Sequence, residues 1–328
     1  MTIDDILGIS SPEDFDRAAM EVFRRQAAEC APYREYLRLI GTEASGVAGV
    51  ERIPFLPIEL FKTHRVYCAD CGEPEALFTS SATGGEGPSR HYISRLDDYD
   101  RTCTRGFELF YGPAGGVSLY ALLPSYLERE GSSLVRMADG LIRRGRGGGF
   151  YLRDHARLLA EMAADWGPKI LLGVSYALLD LAEEIAARGE KLPAGTTVME
   201  TGGMKGRRGE MPVERMHAIL GEAFGVTDIH SEYGMAELMS QAYSAGGGVF
   251  RTPPWMRVAV RSLADPFDVR YAGDGGSRGG LNIADLANLH SCAFVQTQDV
   301  GRVAADGSFT LHGRVARSDI RGCNLLVQ

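Results

Sequence analysis

The chain has no apolar run long enough to span a bilayer; the longest, Ile170 to Leu179, falls well short. Its first residues, Met1-Thr2-Ile3-Asp4-Asp5, are acidic where a secretory signal is basic, so a cytoplasmic protein with no membrane span is expected. Positive charge is in the minority: 35 Lys and Arg against 43 Asp and Glu leave a net charge of -8, which excludes the usual basic nucleic-acid binder. Cysteine is sparse and scattered, at positions 30, 68, 71, 103, 292 and 323, and without an export signal the thiols are expected to be reduced. His64-x3-Cys68-x2-Cys71 resembles half of a zinc site, but no second paired motif supplies the remaining ligands. The Gly-x4-Gly-Lys-Ser/Thr spacing of a Walker loop is absent. So are internal repeats and a clear flexible linker, and the whole chain is read as one unit.

What is present is a globular chain, 328 residues long and 45% hydrophobic, enough to fill a sizeable core. Ser11-Pro12-Glu13-Asp14 is a helix start, and Phe15, Ala18, Ala19, Val22 and Phe23 follow with helical spacing. Ile53 to Phe61 reads as an irregular crossing segment ended by Lys62. Val66 to Cys68 and Ala76 to Thr79 have strand character, and Ser118 to Pro124 reads as a buried strand ending in proline. Helices are predicted at Arg153 to Trp166 and Tyr176 to Arg188, and strands at Ile170 to Gly173, Thr196 to Glu200 and Thr227 to His230. This alternation implies a mostly parallel sheet. After Val249, short strand-like runs separated by Gly- and Asp-rich turns imply a smaller, β-rich portion. The apolar residues around Leu119 to Leu123, Phe150-Tyr151 and Val174 to Leu178 either line an acyl tunnel or fill the core.

Three segments gather groups that hold anions or cations. In the first, the hydroxyls of Ser80, Ser81 and Thr83 stand with Gly84 and Gly85 after a strand, an anion nest with Arg90 as the cation at its edge. The second, Ser231-Glu232-Tyr233-Gly234-Met235-Ala236-Glu237, follows a short predicted strand. The third, Thr297-Gln298-Asp299-Val300-Gly301-Arg302, precedes Gly313-Arg314. Between the first two lies the loop Glu200-Thr201-Gly202-Gly203-Met204-Lys205, where Lys205 reads equally as a phosphate ligand or as a solvated lysine on a turn.

In this order the segments resemble those of the adenylate-forming ligases, whose Tyr-Gly-x-Thr-Glu motif matches Tyr233 to Glu237 except that Ala236 replaces the threonine. The resemblance implies ATP and Mg²⁺ as cofactors and a carboxylic acid as substrate. It places Tyr233 against adenine, Glu237 on Mg²⁺, Asp299 on the ribose hydroxyls and Arg314 at a hinge. Gly202 and Gly203 would line the adenosine and acyl pockets through their backbone. Joining a carboxylate to the α-phosphate of ATP brings two anions together, which is why such a site needs N–H groups, cations and a metal. The implied fold is the large domain of those enzymes: α/β, with mixed, mostly parallel sheets, helices and a β-rich C-terminal portion. A single domain over 1–328 is expected, with approximate subregions 1–115, 116–245 and 246–328.

The resemblance sharpens toward the acyl-protein synthetases of bacterial luminescence, the LuxE type, through Ile53 to Lys62, Thr201 to Lys205, Asp285-Leu286-Ala287-Asn288 and the early C-terminus. That branch activates a fatty acid, passes it to its own cysteine near the C-terminus and hands it to a reductase, so an acyl-accepting reductase or carrier protein is the implied partner. Cys323 stands where that cysteine would be; it reads equally as a small apolar residue in a final strand. Ordinary acid–CoA ligases continue past the Gly-Arg hinge into a lid domain carrying a catalytic lysine, and this sequence is expected to lack it. Lys62, Lys205 and Arg90, in that order, are the candidate replacements. Two alternatives stand beside this reading: a stand-alone ligase that passes its adenylate to a small amine, alcohol or CoA, and a catalytically weak docking subunit of a reductase complex.

Overall fold

The computed structural model describes residues 1–80, 87–123, 131–202, 211–271 and 278–315. Ser11 caps the helix Pro12–Glu29 by accepting the Asp14 N–H at 3.1 Å, with Pro12 at the first position, as the cap signal predicts. The predicted face, Phe15 to Phe23, is buried. A helix of five residues, Ile3–Leu7, precedes it, closed by reciprocal hydrogen bonds between Thr2 and Asp5; it is too short to show a period in sequence. Gln26, fully buried on the long helix, donates to the Asn288 and Leu289 carbonyls at 2.7 and 3.0 Å and accepts from the Ala293 N–H at 2.9 Å. The N-terminal helix is thereby fastened to the turn that carries Asn288.

The central sheet has six strands, in the order Gly148–Phe150, Ser118–Leu122, Lys169–Val174, Thr196–Thr201, Ile229–Tyr233 and Ala242–Ser244. All neighbours are parallel except the last pair. Helices Ser133–Arg144, His155–Ala164, Ser175–Arg188 and Val213–Phe224 make the crossovers. Every residue of Ser118–Leu122 and of Lys169–Val174 is buried, as a strand covered on both faces requires. The apolar stretches weighed as an acyl tunnel, Leu119 to Leu123 and Val174 to Leu178, lie in this core, with Tyr176 partly covered.

The second sheet, as the β-rich C-terminal pattern predicts, runs Val249–Phe250, Phe309–Arg314, Phe294–Val303, Arg278–Asp285, Met256–Arg261, Val269–Arg270, with antiparallel pairing throughout. Leu56–Pro57, inside the segment read as irregular, adds a parallel pairing to Phe294–Val303. Two corrections to the sequence reading emerge. Val66 to Cys68 forms no strand; Cys68 makes only an isolated bridge with Cys30. His64 is exposed and bonds Thr63, whereas the histidine beside the Cys71 thiol, at 3.1 Å, is His290.

The pairing of Phe294–Val303 with Phe309–Arg314 shifts register between Val300 and Gly301. A Cβ at Gly301 would lie 2.1 Å from the Thr310 carbonyl oxygen and 3.0 Å from the Leu281 side chain. Gly301→Ala is expected to force these strands apart and destabilise the protein by about 2 kcal/mol. Calorimetric melting checks this, and an unchanged Tm would show that the strands tolerate the methyl group.

Candidate functional site

The described parts of the segments singled out in sequence meet near the carboxyl end of the parallel strand Ile229–Tyr233, the end at which open α/β sheets bind ligands. Ala76–Thr79 and Arg90–Ile93 pair antiparallel on either side of residues 81–86. Ser80 N–H donates to the Ser89 carbonyl at 3.2 Å, and Ser89 N–H returns a bond to the Ser80 hydroxyl at 2.9 Å, forming a neck at the strand ends. The Ser89 hydroxyl reaches the Glu237 carboxyl, which is 4% exposed. Burial pushes the Glu237 carboxyl above the ordinary range, and the Ser89 hydroxyl and the nearby Arg314 charge oppose that rise. Arg90 donates to the Lys62 carbonyl at 3.0 Å, so Lys62, in the short helix Leu60–Thr63, is joined to the same neck. Ser81, Thr83, Gly84, Gly85, Gly203, Lys205 and Cys323 lie outside the described residues.

Tyr233 is the last residue of its strand, so the tyrosine motif begins within the strand rather than after it. Its hydroxyl donates to Asp299 Oδ2 at 2.7 Å, and Arg314 Nε donates to Asp299 Oδ1 at 3.0 Å. The residues assigned by resemblance to adenine, ribose and hinge thus form one hydrogen-bonded group across two sheets. The Tyr233 ring is buried, edge-on to Phe309 at 5.4 Å and to Phe250 at 5.9 Å. Arg261, which no sequence signal marked, lies buried behind Asp299 and donates to the Leu281 and Thr297 carbonyls at 3.0 and 2.7 Å. Gly280 makes room for it, since a Cβ there would sit 2.4 Å from the guanidinium carbon. Thr297 in turn accepts the Asp299 N–H at 3.1 Å.

Asp285-Leu286-Ala287-Asn288, noted in sequence without a role, holds the segment after Tyr233 in place. Fully buried Asp285 accepts from the Met239 and Ser240 N–H groups at 2.8 and 2.9 Å and from the Ser240 hydroxyl at 2.6 Å. Burial raises the Asp285 carboxyl, and these donors pull it back toward the ionised form. Asn288 donates to the Glu237 carbonyl at 3.0 Å, while buried His91 donates from Nδ1 to the Ala236 carbonyl at 2.8 Å and places Nε2 3.0 Å from Asn288 Oδ1. Desolvation lowers the His91 imidazole to about 4. Two side chains therefore clamp the backbone of Ala236 and Glu237, and alternation along Arg90–Ile93 is the only sequence feature that could have pointed His91 inward.

Glu232, beside the tyrosine, was also missed. It is 7% exposed, accepts from the Thr201 hydroxyl, and among the described residues faces no cation that could offset its desolvation; burial raises it to about 7, with Glu200 adding to the rise. Its Oε1 lies 2.5 Å from where a Cβ at Gly234 would be, so a side chain there would displace the Glu232 carboxyl.

No protein-family model matches the chain, and no curated protein sequence matches it. Solved structures do. 2-Hydroxyisobutyryl-CoA ligase in complex with 2-HIB-AMP and CoA superposes with a TM-score of 0.65 at 17% identity, over 95% of this chain and 69% of that one. The fold is that of the large domain of adenylate-forming enzymes. ATP-bound MatB from Rhodopseudomonas palustris agrees at 0.53 and 16% identity over 74% of this chain, which spans about half that protein, 49% of its length. O-succinylbenzoate coenzyme A synthetase (MenE) from Bacillus subtilis, in complex with AMP, gives 0.50 at 15% identity. At these identities the likeness is one of fold. No described helix is long and apolar enough to cross a membrane.

Glu232 supplies a pH test of the site's packing. A carboxyl raised on folding contributes stability that is complete below its unfolded value near 4.3 and is lost as pH climbs through about 7. Glu232→Gln keeps an acceptor for Thr201 but cannot ionise. It is expected to melt above the wild type at pH 8, with the gap narrowing as pH falls below about 7 and closing near pH 4. A gap independent of pH, read by thermal denaturation, would rule out a buried titrating carboxyl.

Proposed function

We propose that this chain activates a carboxylic acid with ATP, forming an acyl-adenylate and releasing pyrophosphate. The supporting observation is the meeting of the Ser80–Ser89 neck, Glu237 and the Tyr233–Asp299–Arg314 group, drawn from three distant segments. The fold adds support, since its neighbours include structures holding 2-HIB-AMP, ATP and AMP.

In this reading the substrate carboxylate attacks the α-phosphorus and the bond to the β-phosphate oxygen breaks. Asp299 holds two protein donors, and an ionised carboxylate has lone pairs for about four, leaving room for the two ribose hydroxyls. Arg90 and Lys62, at the neck, supply positive charge against the phosphates. Among the described residues no group of three His, Cys, Asp or Glu could cage a metal ion. A lone buried carboxylate such as Glu237 suits Mg²⁺, which takes one or two protein carboxylates and completes its shell with phosphates and water. When bound, the ion would neutralise phosphate charge. Glu237 is ready for that role because the backbone clamp from Asn288 and His91 fixes its position and the Ser89 hydroxyl favours its ionised form.

The finer reading, on the LuxE-type resemblance, is a fatty acid passed to Cys323 and then to a reductase or carrier protein. The described thiols are poor acceptors: Cys30, Cys68, Cys103 and Cys292 are buried, and burial with Asp70 holds the Cys71 thiol up at about 11.

Magnesium- and carboxylate-dependent exchange of pyrophosphate into ATP tests the core of this proposal. Glu237→Gln and Asp299→Asn are each expected to lower exchange about 100-fold. Cys323→Ala is expected to keep exchange and lose covalent acylation of the protein. Exchange by the wild type with none of a broad panel of acids would overturn the activity and leave a docking subunit as the better reading.

A further inference from the structure

Three polar side chains, Thr201, Glu232 and Gln241, gather near Gly234. Thr201, which leads into Gly202, donates its hydroxyl to Glu232, which leads into Tyr233 and Gly234. Gln241 is close by: its Cγ lies 3.4 Å, and Glu232 Oε1 2.5 Å, from the position a Gly234 Cβ would take. Gln241 is 5% exposed, and its carboxamide oxygen has no hydrogen-bond partner among the described residues. Its side chain lies beside the Cys103 thiol. Successive side chains on a strand alternate faces, so Glu232 points away from the Tyr233 side, and Tyr99 and Tyr111 of the helix Leu96–Tyr111 lie near it.

Buried acceptors left without a donor are destabilising, and a wall built to hold a hydrocarbon would be lined with apolar groups. The apolar runs that might have formed such a wall, Leu119 to Leu123 and Val174 to Leu178, are spent in the sheet core. Gly234 is exposed, and its absent Cβ leaves backbone open beside the Glu232 and Gln241 side chains, where a small group can approach closely. We propose that the acid taken by this site carries a hydrogen-bond donor, a hydroxyl or amino group, received by Glu232 and the Gln241 oxygen, rather than being a plain hydrocarbon acid. The proposal rests on the acyl-adenylate reading and departs from the fatty acid that the LuxE-type resemblance implies.

The test uses the full-length wild type with hexanoate, decanoate and the 2-hydroxy, 3-hydroxy, 6-hydroxy and 6-amino derivatives of hexanoate, scored by pyrophosphate exchange and hydroxamate trapping. At least one substituted acid is expected to exceed hexanoate and decanoate by tenfold or more in kcat/KM. Gln241→Leu and Glu232→Gln are each expected to lower that ratio several-fold, and the acid-induced shift in Tm should follow the same order. Plain acids equal to or better than every substituted one in the wild type would overturn the proposal while leaving the adenylate reading intact. Exchange with no acid of either kind would sink both.

Discussion

The hydrogen bond from Tyr233 to Asp299 joins the end of a parallel strand to the middle of an antiparallel one, and the site exists only because these two sheets meet there. Each partner is fixed from its own side. Phe250 and Phe309 wedge the Tyr233 ring, and Thr297 and Arg261 hold the strand that carries Asp299. A buried carboxylate with two donors is far more stable than one left dry, so the contact selects the docked arrangement over a slipped one. Arg314, placed opposite Asp299 by the strand register, completes the group from the solvent side, with 66% of its side chain exposed.

A second buried carboxylate, Asp285, does for the segment after Tyr233 what Asp299 does for the strand end. Its donors come from Met239, Ser240 and Ala287, and Trp255 Nε1 adds a bond to the Ser240 hydroxyl at 2.9 Å. Gln26 extends the support to the N-terminal helix. The clamp on Glu237 is therefore the last link of a chain of hydrogen bonds that begins in the first long helix of the protein, and a change at Gln26 would be felt at Glu237 through Asn288.

Much of this architecture was legible because local signals and tertiary demands agreed. The Ser11 cap, the buried run at Ser118 to Leu122 and the alternation from Ile170 to Thr201 each reappear as elements with nearly the predicted bounds. Tyr233, Glu237, Asp299 and Arg314 were readable as a set because their order along the chain matched a known pattern. What stayed hidden depended on distant partners. His91 and Asn288 are far apart in sequence and meet only through the fold. Val66 to Cys68 has the composition of a strand, yet its neighbours offer Cys68 one bridge and no ladder, so propensity lost to tertiary context. The Cys-x-x-Cys spacing pointed to His64, whereas folding brought His290 to Cys71 instead.

Glu232 and Glu237, on one short segment, show how such a site separates two like groups. Both carboxyls are buried and both are raised by desolvation. Glu237 has a hydroxyl from Ser89 and the Arg314 charge working toward ionisation, and a cation brought in with a nucleotide would push it further in that direction. Among the described residues Glu232 has the Thr201 hydroxyl alone, against the charge of Glu200, so it holds its proton to about neutrality. A carboxyl that holds its proton this far can both donate and accept, which suits Glu232 to recognising a hydrogen-bonding substituent rather than a metal. The strand end thus divides the work: the Tyr233 side and Glu237 face charge, and the Glu232 side faces hydrogen bonds.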